Sequence, residues 1–391
     1  MVQLMALNGR ELWRSDGTIE GTLLFKDINI NGNSSPSNLA TYNNKLYFSA
    51  DDGVNGQELW VTDGTEEGTL MIKDININGN SSPQEFKEFK GKLYFSAQDE
   101  SNGREIWVTD GTASGTKMIK NIHATENSNP YGFTEYLDKL YFYAIDNING
   151  FELWSTDGTT DGTQLLKEIN SNNELIYYPC ELKVVAGKLF FYGLNTESGL
   201  EPWVTDGTEE GTHLLKNIAP GSWYSLYSKY TFANYNNKLY FRAEDGSNLD
   251  ELWVSDGTTE GTKKIHPEGY VGYEPLGCQS DFKVYKGSMY FSASYMDYSC
   301  ELWKLTDATV TSIDNKKELN FILYPNPSRD ILNVNYNGTI RQYSIMDLQG
   351  RIIQMKKNQP NTIDIQNLSS GLYFIQLETD DGVSTQSFIK E

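Results

Sequence analysis

The sequence predicts an all-β protein: a seven-bladed β-propeller built from repeats of 47–50 residues, followed by a small β-sandwich. Two observations predict the first part and a third the second. A tryptophan returns at Trp13, Trp60, Trp107, Trp154, Trp203, Trp253 and Trp303, at intervals of 47, 47, 47, 49, 50 and 50 residues. Each interval holds four short runs of Tyr, Phe, Trp, Val and Ile, separated by Gly, Asn, Asp and Pro, which is the writing of strands and turns. From Leu323 the period ends and the composition changes.

The repeat is clearest at Glu58-Leu59-Trp60-Val61-Thr62-Asp63-Gly64-Thr65, then two residues, then Gly68-Thr69. In the third unit the expected strands are Phe86–Phe89, Lys92–Ala97, Glu105–Thr109 and Thr116–Ile122. The second of these recurs around Tyr47, Tyr94, Tyr141, Phe190, Tyr240 and Tyr290. A period of this length, with strands apolar on both sides, suits blades that bury both sheet faces against their neighbours. No stretch sustains helical periodicity. The first unit starts within or just before its second strand, and the seventh, Thr306-Asp307-Ala308-Thr309, lacks the second Gly-Thr. A truncated N-terminus is the simplest expectation from this. The unit resembles the ELWxxDGT repeat of secreted bacterial proteins over residues 1–310, with Pro202 replacing Leu in the fifth copy. That resemblance implies no defined activity.

The repeated residues read as structure. Gly in Asp-Gly-Thr-x-x-Gly-Thr supplies the positive φ of a tight connection, and Asp and Thr can bond the turn's own amides. The alternative is one calcium ion per blade on Asp63, Asp110, Asp157, Asp206 and their equivalents. One aspartate per turn is a thin set for an ion that takes six to eight oxygens. A tryptophan at one register in every blade reads as inter-blade core, with its indole N–H bonded to backbone. His123, His213 and His266 have no partner at metal-ligand spacing and read as solvated loop or edge positions. No nucleophile elbow, Walker loop or dinucleotide fingerprint is present, so neither a catalytic residue, a metal nor a cofactor is assigned.

The formal net charge is −21, and residues 1–320 carry 46 of the 53 acidic and 26 of the 32 basic side chains. So negative a surface repels phosphate backbones and argues against nucleic acid as a partner. No apolar run is long enough to span a membrane. Residues 1–7 are apolar but short, with no basic segment before them, and do not read as a signal peptide. The cysteines are Cys180, Cys278 and Cys300; in an oxidising compartment Cys278 and Cys300, which flank strands of one repeat, can pair.

Non-repeating residues are where binding would reside. In a four-strand blade the second-to-third loops and the blade-to-blade loops share one face. Early loops there are polar, while later ones gain Tyr131, Tyr178, Trp223, Tyr224, Tyr270 and Tyr273. Aromatics beside Asn and Asp suit sugar rings, which stack on apolar faces while their hydroxyls take hydrogen bonds. The alternative is that these rings pack long loops onto the blades.

The C-terminal segment reads as short alternating strands between Gly, Asn and Asp turns, a small sandwich with 6 basic and 7 acidic side chains. Its phrases Pro325-Asn326-Pro327, Gly371-Leu372-Tyr373 and the terminal Lys390 closely resemble the type A C-terminal sorting domain of Bacteroidota type IX secretion substrates. The resemblance implies a translocon and a sortase-like peptidase as partners, an N-terminal leader for entry to the periplasm, and release or attachment at the cell surface. The expected organisation is a propeller over 1–311, a linker over 312–320 near the cleavage point, and the sorting domain over 321–391. Function then reads as non-enzymatic binding, adhesin-like, of a glycan or surface protein. A polysaccharide-active enzyme and a structural part of a surface assembly are the alternatives.

Overall fold

The computed structural model describes the chain except residues 1–8, 170–180, 196, 221–231, 247–249, 267–281, 295–299, 307–308, 313–320, 337, 348–350, 358–360 and 380–382. Two compact units divide it, residues 1–310 and 311–391. Among the described residues there is no helix.

In the first unit every sheet is antiparallel and built from strands consecutive in sequence. Leu12–Arg14 pairs with Leu23–Lys26, and six four-stranded sheets follow, beginning at Ser37, Gln84, Tyr131, Lys183, Phe232 and Lys283. The third sheet shows the rule: Gln84–Phe89, Lys92–Asp99, Gly103–Thr109 and Lys117–Lys120 lie side by side in that order. Two-residue hairpins join the first strand of each to the second. Both hairpin residues have positive φ, as in Asn43-Asn44 and Lys90-Gly91, the conformation that matches strand twist.

The sheets are covered on both faces because their strands are apolar at successive positions, with opposite sides facing different neighbours. Leu93, Phe95 and Ala97 join a cluster with Tyr47, Leu59 and Val61 of the preceding sheet. Tyr94, between them, joins Phe142 and Trp154 of the following one. Phe95 is fully buried, and such a side chain contributes about 2–3 kcal/mol. First strands of successive sheets are neighbours: Ser37–Tyr42 lies beside Gln84–Phe89, and that beside Tyr131–Tyr136. Lys183–Val185, Phe232–Tyr235 and Lys283–Tyr285 repeat the arrangement.

The second unit is two sheets around one core. Ile322–Tyr324, Ile331–Asn335 and Thr362–Asp364 form one; Ile352–Lys357, Ile340–Met346, Gly371–Thr379 and Val383–Lys390 form the other. Leu332, Val334, Ile345, Ile363, Ile375, Leu377 and Phe388 fill the space between them.

Candidate functional site

The polar residues of the repeat are consumed inside it. Thr65 donates to Asp63 Oδ1 from its amide (2.9 Å) and from its hydroxyl (2.7 Å). Thr65 Oγ1 accepts the Gly68 amide at 2.9 Å, and Thr69 Oγ1 donates to the Thr65 carbonyl and shares a hydrogen bond with Thr62 Oγ1, both at 2.7 Å. The aspartate bonds repeat at Asp16, Asp110, Asp157, Asp206 and Asp256. The Thr65 hydroxyl and then its amide hold Asp63 below the usual carboxylate range. A Cβ on Gly68 would stand 2.0 Å from Asp63 Oδ1, which is why the second glycine of the motif is glycine. The oxygen nominated for calcium thus takes two donors. Among the described residues no group of three or more His, Cys, Asp or Glu is placed to hold a metal.

The glutamate two residues before the tryptophan carries a role that the sequence reading missed. Glu58 is fully buried and accepts the amides of Ile75 (2.8 Å), Asn76 (3.4 Å) and Ser81 (3.0 Å) and the Ser81 hydroxyl (2.7 Å). Glu105 does the same with Ile122, His123 and Ser128, and Glu11 with Ile28 and Ser34. These bonds hold the connection to the next sheet against the sheet it leaves. Burial pushes Glu105 up to about 7, opposed by the Ser128 hydroxyl and the amides. Perturbed carboxyls often mark active sites, but each donor here belongs to the connecting segment, which makes the group structural. The signal was available: this glutamate stands in all seven repeats.

A lysine thirteen residues after the tryptophan was also missed. Lys73 donates to the Thr116 carbonyl of the next sheet at 2.8 Å and lies 5.9 Å from the centroid of Trp107. Lys26, Lys120, Lys167 and Lys216 reach Thr69, Thr163, Thr212 and Thr262 in the same way.

Two expectations need correction. The indoles of Trp253 and Trp303 donate to the Ala243 and Ala293 carbonyls, at 3.2 and 3.1 Å. The indole nitrogens of Trp60, Trp107, Trp154 and Trp203 are buried without a hydrogen-bond partner; these rings are held by packing, and Trp107 and Trp154 also by a cation over the face. His123 is buried rather than solvated, and its Nδ1 accepts the Glu126 amide at 2.8 Å. His213 and His266 are exposed. Cys300 is disulfide-bonded, and both other cysteines, Cys180 and Cys278, lie outside the described residues.

Of the aromatic candidates, Tyr178, Trp223, Tyr224, Tyr270 and Tyr273 lie outside the described residues. Tyr131 is half-buried and stacks on Tyr143 and Phe151 at 5.3 and 5.5 Å, so this ring packs its own sheet.

The residues assigned to sorting come together at one corner of the second unit. Asn326 Oδ1 accepts the Ile389 amide at 2.9 Å, and its Nδ2 donates to the Ser387 carbonyl at 3.4 Å. The Ser328 amide donates to the Ile389 carbonyl at 2.9 Å, and the Glu391 amide returns to the Ser328 carbonyl at 3.0 Å. Gly371 pairs with Lys390 and Tyr373 with Phe388 across the adjoining strands. The Tyr373 hydroxyl donates to the Ser369 carbonyl at 2.9 Å, and its ring stacks on Phe388 at 5.8 Å. Lys390 is buried, its ammonium on the Glu391 carbonyl. Pro325 and Pro327 line an adjacent cavity of about 670 Å³ with Arg329, Asn333, Thr362 and Glu391. The Pro-Asn-Pro segment therefore clasps the C-terminal strand across more than sixty residues of sequence.

Residues 322–391 match the family described as the secretion system C-terminal sorting domain, and this segment is a type IX secretion sorting tail. It implies a secreted, surface-attached protein that interacts with the type IX machinery. No helix among the described residues is long and apolar enough to cross a membrane. No curated protein matches the chain. Among solved structures, one from a study of two prolyl endopeptidases is 12% identical with a TM-score of 0.40, over 90% of this chain and 50% of that one. The chain thus spans half the length of that protein. An α-L-arabinofuranosidase from Clostridium thermocellum is 16% identical with a TM-score of 0.28, over 60% of this chain and 93% of that one. Likeness at this level carries no argument about fold or function.

Proposed function

We propose that the chain is a non-enzymatic binding protein of the bacterial cell surface: a seven-bladed propeller of ELWxxDGT-type repeats that the sorting tail delivers and that holds a glycan or surface protein. The observation that carries the delivery is the matched tail. The observation that favours binding over catalysis is the fate of the repeated polar groups. Aspartate, threonine, glutamate and lysine each bond the turn, connection or neighbouring sheet beside them. Recognition is then left to what does not repeat, the loops that a rigid scaffold displays. Seven blades are the reading of seven tryptophans together with the seven sheets of the first unit among the described residues.

Within this reading Trp223, Tyr224, Tyr270, Tyr273 and Tyr178 contact the ligand. The full chain on a glycan array tests it. The expected result is selective retention of a carbohydrate class, weakened at least tenfold by Trp223→Ala at unchanged melting temperature, the scale of one aromatic anchor. A variant that melts lower but binds as well per folded molecule would place the ring in loop packing.

A further inference from the structure

The four-stranded sheet of the sorting unit ends differently on its two sides. On one side Val383–Lys390 is closed by the clasp, where Ser328 bridges to Lys390 and Asn326 holds the Ile389 amide. On the other, Ile352–Lys357 pairs with Ile340–Met346 and, among the described residues, with no second strand. Such an edge presents backbone donors and acceptors that another strand can join. The chain leading into the unit arrives at the closed side, where Gln386 Nε2 donates to the Phe321 carbonyl at 2.7 Å.

The side chains of the open edge are apolar and point outward. Gln354 turns to the other sheet, its Nε2 donating to the Tyr343 hydroxyl at 2.8 Å and the Asp364 carbonyl at 3.2 Å. Ile353 and Met355 flank it and face away from it, 49% and 47% exposed. A bulge sets Ile352, 54% exposed, opposite Met346 on that same outer face. The face continues through the pairs Met346–Phe374 and Leu372–Ile389, which reach the Gly371-Leu372-Tyr373 phrase. Natural edges are blunted by charge, and here charge stands only at the ends, on Arg351 and on Lys356 and Lys357.

That distribution selects the occupant. Antiparallel pairing with a second copy of the strand, centred on Gln354, sets Arg351 against Lys357, and like charges directly opposite destabilise a pair. An aliphatic strand with an acidic residue at its end meets both the apolar middle and the basic end. The matched tail brings this unit to the type IX machinery.

We propose that Ile352–Lys357 is the edge at which a strand of the type IX machinery joins the sorting sheet. That strand sets aliphatic side chains beside Ile353 and Met355 and an acidic one beside Lys356. The proposal rests on the reading of the tail as a sorting signal and names the surface by which the signal is read.

Export of the full chain from a type IX host, behind a standard leader, tests it, with the same host lacking the machinery as reference. Ile353→Lys with Met355→Lys should cut the surface and extracellular fraction about tenfold at unchanged melting temperature, the scale of one lost anchor. Lys356→Glu should cut it about threefold, the scale of one charge pair. Ile322→Lys, at a residue 63% exposed on the other sheet, should export as the natural chain does. Should the double variant melt lower, a photoreactive amino acid placed at Met355 decides, with an adduct to an outer-membrane component of the machinery expected there and none from Ile322. Natural export that does not need the machinery would remove the sorting reading itself. Machinery-dependent export that the double variant or Lys356→Glu leaves untouched, equal loss in Ile322→Lys, or a Met355 adduct to a second copy of the chain would overturn the edge proposal alone.

Discussion

The two units hold their chains by opposite means. In the repeat unit the same few bonds recur: Asp63 with Thr65, Glu58 with Ile75 and Ser81, and Lys73 with Thr116 each return, in most repeats, one period later. In the sorting unit the decisive bonds occur once and join positions far apart, Asn326 to Ile389 and Ser328 to Glu391. Periodic polar groups stand apart in space and each serves its own neighbourhood. Groups that do not repeat can converge, and convergence is what a recognition signal requires. The comparison teaches where to look in such a chain: for stability in what recurs, for function in what does not.

The largest effect should come from a recurrent carboxylate. Glu58→Ala leaves three amides buried without their acceptor, while the Ser81 hydroxyl can turn to the Gln57 carbonyl, which should cost about 3–5 kcal/mol by urea unfolding. A loss under about 1 kcal/mol would remove the glutamates from the account.

Next is a pH effect with a definite sign. Burial raises Glu105 from 4.5 to about 7, and Glu58 and Glu251 move the same way. A carboxyl harder to ionise when folded favours the folded state fully below its unfolded value of 4.5, and that advantage is lost as pH rises through about 7. Protonation is accommodated, since the Ser128 hydroxyl can turn from Glu105 Oε2 to the Arg104 carbonyl, 3.1 Å away. The natural chain should therefore lose about 2–3 kcal/mol between pH 5 and pH 8 relative to Glu105→Gln, which cannot ionise. Parallel curves for the two proteins would show that the hydrogen bonds outweigh burial.

Smallest is the lysine bridge. Lys120→Met keeps the apolar stem and loses the bond to Thr163 and the cation over Trp154, worth about 1–2 kcal/mol.

Much of this architecture was legible in the residues. In the third repeat the first three strands match the expected runs at one end and extend them by two residues at the other, because β-rich runs between Gly and Asn leave little choice, while the fourth is shorter than expected at both ends, Lys117–Lys120. The turn role of Asp63 followed from Asp-Gly-Thr chemistry alone. Glu58 was overlooked because a glutamate in a strand reads as a solvated position; only the fold shows the connecting segment wrapping amides around it. His123 was misplaced for the same reason, its burial depending on a loop that folds back. The convergence at Lys390 could be expected from the resemblance, but the clasp by Asn326 is long-range and leaves no local mark in the sequence.

The central claim is that recurrent residues build and the convergent corner delivers. It is tested most directly by measuring export of the full chain from a type IX host, carried to the periplasm behind a standard leader. Asn326→Ala, which loses the bonds to Ile389 and Ser387, should reduce the surface and extracellular fraction several-fold while the repeat unit melts unchanged. Lys120→Met should lower melting and leave export as it was. Export indifferent to Asn326→Ala, or lost equally in Lys120→Met, would contradict the account.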